Sequence, residues 1–223
     1  MIALAYDSET NGRPLFHEPS GDPRQPHIVQ LAAVLLDLDT YAEIASLDVI
    51  VRPDGWTVPD DVAVIHGITT ERASDVGVPA RVALDLFLEL WSLSQVRIAH
   101  NESFDARLVR IALLRHHCAD PQADINVRWK NGPAECTMAL STPILKLPPT
   151  AKMLAARRHH HKSANLGEAS QFFTGRPLVG AHSAMVDVRA CIQVYRAIKA
   201  GQLVATQAEI HLPPTTLERS AAP

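Results

Sequence analysis

The stretch AYDSETNG, residues 5–12, sets two acids two positions apart where an opening apolar run ends. Side chains two apart on a strand point to the same face, so Asp7 and Glu9 stand side by side. Neighbouring carboxylates repel, and burial is costly unless positive charge sits between them. Solvation at a strand end would satisfy them, and so would a shared metal ion. Two later stretches bear on the choice. In IAHNESFDARLVR, residues 98–110, a short strand ends at His100-Asn101 and a helix opens with Asp105 in its early turns. Taken alone, Asp105 need only favour the helix dipole, worth a few tenths of a kcal/mol. In GAHSAMVDVRA, residues 180–190, His182 stands five residues before Asp187. Within one helix that spacing would set the two side chains about 140° apart. A histidine in the loop after Gly180, followed by an aspartate inside the helix, escapes that geometry; the plainer alternative is an exposed loop histidine.

The elements that must position these groups follow from periodicity. Ile2–Tyr6, residues 28–38 and residues 44–53 read as three strands joined as an antiparallel meander. From Val78 to Leu93 the spacing turns helical, with Val82, Leu86, Leu90 and Leu93 three or four apart. A short buried strand (96–100) and a helix through Leu108, Ile111 and Leu114 come next. Residues 119–134 read as a loop holding at most a short strand. Helices are expected from Cys136 to Leu147, from Asn165 to Phe173 and from Met185 to Ile198. The stretch from Gln207 on, rich in Pro, Thr and Ala, reads as extended or disordered. Three antiparallel strands followed by alternating helices and strands imply one α/β domain, a mixed sheet flanked by helices. Residues 1–205 would form that domain and 206–223 a tail.

Composition narrows the class without naming it. The 223 residues are 47% hydrophobic and 20% charged, with a net charge of −3 from 21 Lys plus Arg against 24 Asp plus Glu. That balance does not advertise a nucleic-acid binder, although acids reserved for cations would depress the count. No stretch approaches the roughly 20 apolar residues of a membrane helix, and the opening residues lack the basic leader of a secretory signal. The three cysteines, Cys118, Cys136 and Cys191, show no C-x-x-C spacing. Free thiols in a reducing cytoplasm are therefore expected.

Taken in order, Asp-x-Glu on the first strand, Asp opening a mid-chain helix and His-x-x-x-x-Asp leading a late helix resemble the DEDD superfamily of 3′→5′ exonucleases. The match is to the branch with histidine in the third motif, which includes the proofreading subunits of bacterial replicases. VRPDGWTVPDDVAVIHGIT (51–69), ECTMAL (135–140) and ANLGEASQFFTG (164–175) resemble that family's connecting segments, in the same order. The resemblance spans about residues 2–200 and implies a ribonuclease H-like fold. Ser183 stands where the tyrosine branch would carry its tyrosine. The residues around the first motif depart from the pattern: Tyr6 and Ser8 flank Asp7, Asn11 replaces a threonine, and Arg13-Pro14-Leu15 follows the glycine.

The resemblance implies that Asp7, Glu9, Asp105 and Asp187 bind two divalent cations roughly 3.5–4 Å apart. Oxygen ligands suit Mg²⁺, with Mn²⁺ able to substitute. Asp7 would bridge the ions, Glu9 and Asp187 would complete their shells, and Asp105 would hold one largely through water. His182 would serve as the base that prepares the attacking water, a role suited to imidazole because it exchanges protons near neutral pH. The substrate would be nucleic acid with a free 3′ end, DNA favoured over RNA, single-stranded or frayed, and the product a nucleoside 5′-monophosphate. Thr10 and the backbone near Ser8 would meet the terminal nucleotide. His66 and Phe104 would stack on or flank terminal bases, with core packing the alternative for Phe104. Asn101 would touch substrate or cap the helix after it.

Two rival readings remain at this point: an exoribonuclease or oligoribonuclease with the same site, and an inactive binding module of the same fold. The dense basic run RRHHHK, residues 157–162, is either a solvated loop or a contact for phosphates of the incoming strand.

Overall fold

The computed structural model describes residues 1–210, with side chains as far as Gly201. Strands β1 (Ile2–Thr10), β2 (Ile28–Asp37) and β3 (Glu43–Ile50) form the expected antiparallel meander. Helices α1 (Asp60–His66), α2 (Thr70–Val76) and α3 (Ala80–Ser92) follow. The chain then returns through β4 (Val96–Ala99), parallel to β1. Helices α4 (Glu102–His116) and α5 (Asp124–Asn131) lead to β5 (Ala134–Cys136), parallel to β4. Four further helices complete the described chain: α6 (Thr137–Leu145), α7 (Ala151–Ala155), α8 (Leu166–Thr174) and α9 (Ala184–Ile210). The sheet order is β3-β2-β1-β4-β5.

Alternation along the strands divides the core. Leu4 and Tyr6 of β1, with Leu31 and Leu35 of β2, pack against Leu84 and Phe87 of α3 and Leu108 and Ile111 of α4. On the other face Ala3, Ala5, Ala32 and Ile98 meet Ala184, Val188 and Cys191 of α9. Alanine at three of those positions leaves room for α9 to lie close to the sheet. Asp7 and Glu9 share the parity of Ala3 and Ala5, so they belong to the α9 face.

Several elements depart from expectation, each for a tertiary reason. β1 does not stop at Tyr6; Asp7 to Thr10 pair with Ala32 to Ile28 of β2, with a register shift between Glu9 and Thr10. The acids therefore sit on a hydrogen-bonded strand rather than a frayed end. Helix α3 forms as the spacing implies; Ala83, Leu84, Phe87 and Leu88 are buried and Leu90 packs on the core, while Val82, Leu86 and Leu93 are exposed. The helix carries apolar residues on both sides, so periodicity alone does not choose between stripes. Residues 119–134 contain α5, whose own residues make a poor apolar face; it is held by Trp129, which is 1% exposed. The indole packs edge-on to Tyr6, Phe87 and Trp91 at 5.1–5.7 Å and donates to the Ala106 carbonyl at 2.9 Å. Within 51–69 the chain forms α1. Helix α9 runs on through Ile210, so residues 207–210 are helical; the remainder of the expected tail, 211–223, lies outside the described residues. No helix among the described residues is long and apolar enough to cross a membrane.

One polar interaction ties the core to the site. Arg97 of β4, 4% exposed, lies over the Trp129 ring at 4.4 Å and donates to Glu102 at 2.6 Å. Glu102 also accepts from the Tyr6 hydroxyl at 3.0 Å. A buried cation held this way fixes the first turn of α4 against the sheet. Phe87 closes the same cluster from α3. Phe87→Ala is expected to cost about 3–5 kcal/mol of unfolding free energy by leaving a cavity there, measured by urea denaturation against the wild type.

Candidate active site

The pairing of β1 with β4 ends at Ala5–Ile98, and beyond that point nothing in β4 accepts from β1. The Ser8 N–H and hydroxyl are instead taken up by one oxygen of Asp105, at 3.1 and 2.7 Å. Although α4 packs on the Leu4–Tyr6 face, Asp105 thus reaches into the gap where the strands part and becomes the leading charge acting on Asp7. Ser8 is 6% exposed and committed to this role. Its N–H is taken by the second-motif aspartate, which leaves the rest of the backbone near Ser8 for a nucleotide.

The start of α9 is fixed from the sheet. Gln30 of β2 lies directly opposite Glu9. Its carbonyl accepts from the Ala184 N–H at 3.1 Å, and its amide donates to Asp48 at 2.7 Å. The first turn of α9, carrying Asp187, is thereby held beside Glu9. Sequence reasoning passed over Gln30, yet a lone glutamine inside the apolar run IVQLAAVLL was a visible signal.

His182 lies in the loop before α9 with φ +67°, a left-handed backbone that costs a non-glycine residue of order 1 kcal/mol. Gly180, at φ +76°, makes the preceding bend. The strain is offset by an N–H donated from His182 to Asp187 Oδ2 at 3.1 Å. Glu9, His182 and Asp187 each offer a ligand atom, all within 4.8 Å of one another.

Burial raises all four acids, and neighbouring charges add to it at Asp7, Glu9 and Asp105. Burial, followed by the charges of Asp105, Asp187 and Glu9, pushes the Asp7 carboxyl well above its usual range. Burial and then Asp187 raise Glu9 to about 7. Burial raises Asp105 to about 7 against the opposing Ser8 hydrogen bonds. Asp187 is raised by burial, with the His182 N–H and imidazole working the other way. Among the described residues, the buried Asp187 Oδ1 has no hydrogen-bond partner. An orphaned buried oxygen amid raised carboxylates is what a divalent cation satisfies, and the carboxylate-rich donor set suits one.

The remaining candidates surround this centre unevenly. Thr10 is 9% exposed and its hydroxyl donates to the Gly12 carbonyl at 2.6 Å, so it closes the loop after β1. His66, half-buried at the end of α1, accepts from the Ile68 N–H through Nδ1 at 3.2 Å. Its buried Nε2 has no partner of good geometry among the described residues, and burial, with the nearby His182 adding to it against a Thr10 backbone contact, lowers its proton affinity. Phe104 is half-buried, with the exposed Phe16 ring 6.4 Å away. Asn101 holds the N-cap position of α4 in a left-handed backbone, φ +64°, and its side chain makes no cap hydrogen bond.

A strand acid pair, a helix acid reaching through a gap in the sheet and a His–Asp turn entering the last helix define a hydrolase-like centre on a mixed α/β sheet. Comparison makes that specific. The family model described as an exonuclease, RNase_T, matches residues 4–195, and the chain belongs to that exonuclease family. No curated protein matches the sequence. The fold is shared with solved structures of exonuclease I. The Escherichia coli enzyme in complex with a dT13 oligonucleotide aligns with a TM-score of 0.70 at 19% identity, over 94% of this chain and 43% of that one. A zinc-bound form of the E. coli enzyme–ssDNA complex gives 0.68 at 17% identity, over 94% and 42%. Exonuclease I from Methylocaldum szegediense gives 0.66 at 23% identity, over 91% and 41%. The chain thus spans less than half the length of these proteins.

The raised Glu9 carboxyl sets a pH test. Its folded value of about 7 exceeds the ordinary 4.5, so ionising it subtracts stability as pH rises between those limits. In metal-free protein, Glu9→Gln should melt above the wild type at pH 8, and the gap should close as pH falls below 4.5. Calorimetry at a series of pH values, with EDTA present, reads this directly.

Proposed function

We propose that the chain is a metal-dependent 3′→5′ exonuclease that releases nucleoside 5′-monophosphates from single-stranded DNA. The observation that carries this reading is the convergence of Asp7, Glu9, Asp105 and Asp187 with the His182 imidazole at one end of the sheet. Two divalent cations, Mg²⁺ or Mn²⁺, would be held by those four carboxylates, and when bound they would supply Lewis-acid activation of water and stabilisation of the leaving 3′-oxygen. Asp7, which feels the charges of the other three acids, would be a ligand shared in that set.

The chain's own groups do the rest. Ser8 keeps Asp105 turned toward Asp7, and Gln30 keeps the first turn of α9 beside Glu9. The exposed His182 ring takes the proton from the attacking water and returns it to solvent. Its backbone is tied to Asp187, so the base and a cation ligand move as one unit. Half-buried His66, Phe104 and Asn101 would flank the terminal nucleotide, the two rings by stacking on its bases, although Phe104 also packs against the core of Phe87 and Leu108. Single-stranded DNA as substrate is supported by the oligonucleotide complexes of the structurally similar exonuclease I proteins.

Asp7→Asn should abolish Mg²⁺-dependent shortening of a 5′-labelled oligonucleotide while the circular dichroism spectrum and melting curve stay those of a folded protein; near-normal turnover would contradict the reading. His182→Ala should lower kcat by about 10²–10⁴, read from the same assay. DNA and RNA oligomers of matched sequence, degraded side by side, decide the sugar preference.

A further inference from the structure

The carboxylate centre repels the polyanion it is built to cut, yet the described residues carry one dense cationic segment, Arg157, Arg158, His159, His160, His161 and Lys162. The fold brings the root of that segment to the site. Cys191 of α9 lies close enough to Asp7 and Asp105 to feel both charges, and His100, just past the end of β4, is linked to it through Thr137. His100 faces the α9 side: its Nδ1 is 2.9 Å from the Thr137 hydroxyl, which lies 3.4 Å from the Cys191 sulfur. Its Nε2 is 3.0 Å from the carbonyl of Ala164, two residues after the basic segment.

The segment is anchored at both ends and its cationic heads are left outside. Its carboxyl end is fixed by the Lys162 N–H to the Leu147 carbonyl at 3.0 Å, by the Lys162–Glu168 ion pair and by the Asn165–Glu168 capping box. At its start, the Arg157 and Arg158 N–H groups close onto the Leu154 and Met153 carbonyls at 2.9 and 2.8 Å. Both arginine side chains are exposed, and among the described residues neither has an acidic partner. At roughly 3.3 Å per residue, Arg158 lies no more than about 20 Å from Ala164. The anchoring fixes where the loop leaves the fold while the Arg157 and Arg158 side chains stay in solvent.

We propose that the 157–161 loop is a phosphate-contacting surface for the single-stranded nucleic acid leading into the site, with Arg157 and Arg158 as its principal contacts. This rests on the exonuclease reading, because that reading supplies the strand. The partner is defined by its phosphodiester backbone, so the contact is indifferent to base and sugar.

The test is binding of labelled oligo(dT) and oligo(rU), each about 15 nucleotides, to full-length metal-free protein in EDTA over a salt series. A single-strand phosphate contact contributes about 0.7 to the slope of log K against log salt. The double variant Arg157→Gln/Arg158→Gln should lower the slope by about 1.4 on both oligomers and weaken binding roughly tenfold at moderate salt. Arg128→Gln removes an exposed charge at the other end of β4 and should leave the slope unchanged. The p-nitrophenyl ester of thymidine 5′-monophosphate, too short to reach the loop, should be cleaved by the double variant at the wild-type rate. An unchanged slope in the double variant, an equal drop in Arg128→Gln, a drop on only one of the two oligomers, or no wild-type binding at all would each overturn the surface. Wild-type hydrolysis of the oligomers is scored separately: its absence sinks the exonuclease reading and leaves the loop to be judged on binding.

Discussion

Mutual repulsion among four carboxylates is the constraint around which the rest of this structure is arranged. Asp7 and Glu9 share a strand face, Asp187 arrives on α9 and Asp105 through the opening between β1 and β4. Burial is the largest cause of the raised proton affinities, and the charges of Asp105, Asp187 and Glu9 add to it at Asp7. A fold that assembles such a group without cations gives up stability above neutral pH, and it does so because the arrangement is already shaped for the ions that would relieve it. The unpartnered oxygen of Asp187 is the local form of the same debt.

Holding like charges together demands stiff supports, and these lie in neutral or paired groups beside the acids. Ser8 spends both of its donors on Asp105. Gln30 bridges β2, β3 and the N-terminus of α9. The Arg97–Glu102 pair, roofed by Trp129, fixes the first turn of α4 three residues before Asp105. None of these supports belongs to the acid–histidine pattern, yet each helps fix where a member of that pattern points. His182 is supported differently, by a strained turn whose N–H is bonded to a neighbouring acid. The outer basic loop answers the same electrostatic problem from the other side, by attracting at a distance what the centre repels.

Much of this was legible before any coordinates. The meander, the mixed sheet, the acid pair on one strand face and the histidine in a loop ahead of a helical aspartate all follow from periodicity and spacing. What was misread or left open has a common cause. The inward stripe of α3 was ambiguous because both of its sides carry apolar residues. Helix α5 was invisible because Trp129, rather than its own periodicity, holds it in place. The extent of β1 was underestimated because its polar end is strand only through pairing with β2.

The chain alone thus determined which residues carry charge and chemistry, in what order, and on which kind of element each would fall, since these depend on neighbours a few positions away. Only the tertiary structure decided that Asp105 crosses from the far layer through a break in strand pairing. Only it decided that Ser8 and Gln30 are supports, and that a basic loop some fifty residues from the second motif springs from beside it. Those are contacts between segments distant in sequence, and their energies depend on burial and geometry that no local pattern encodes.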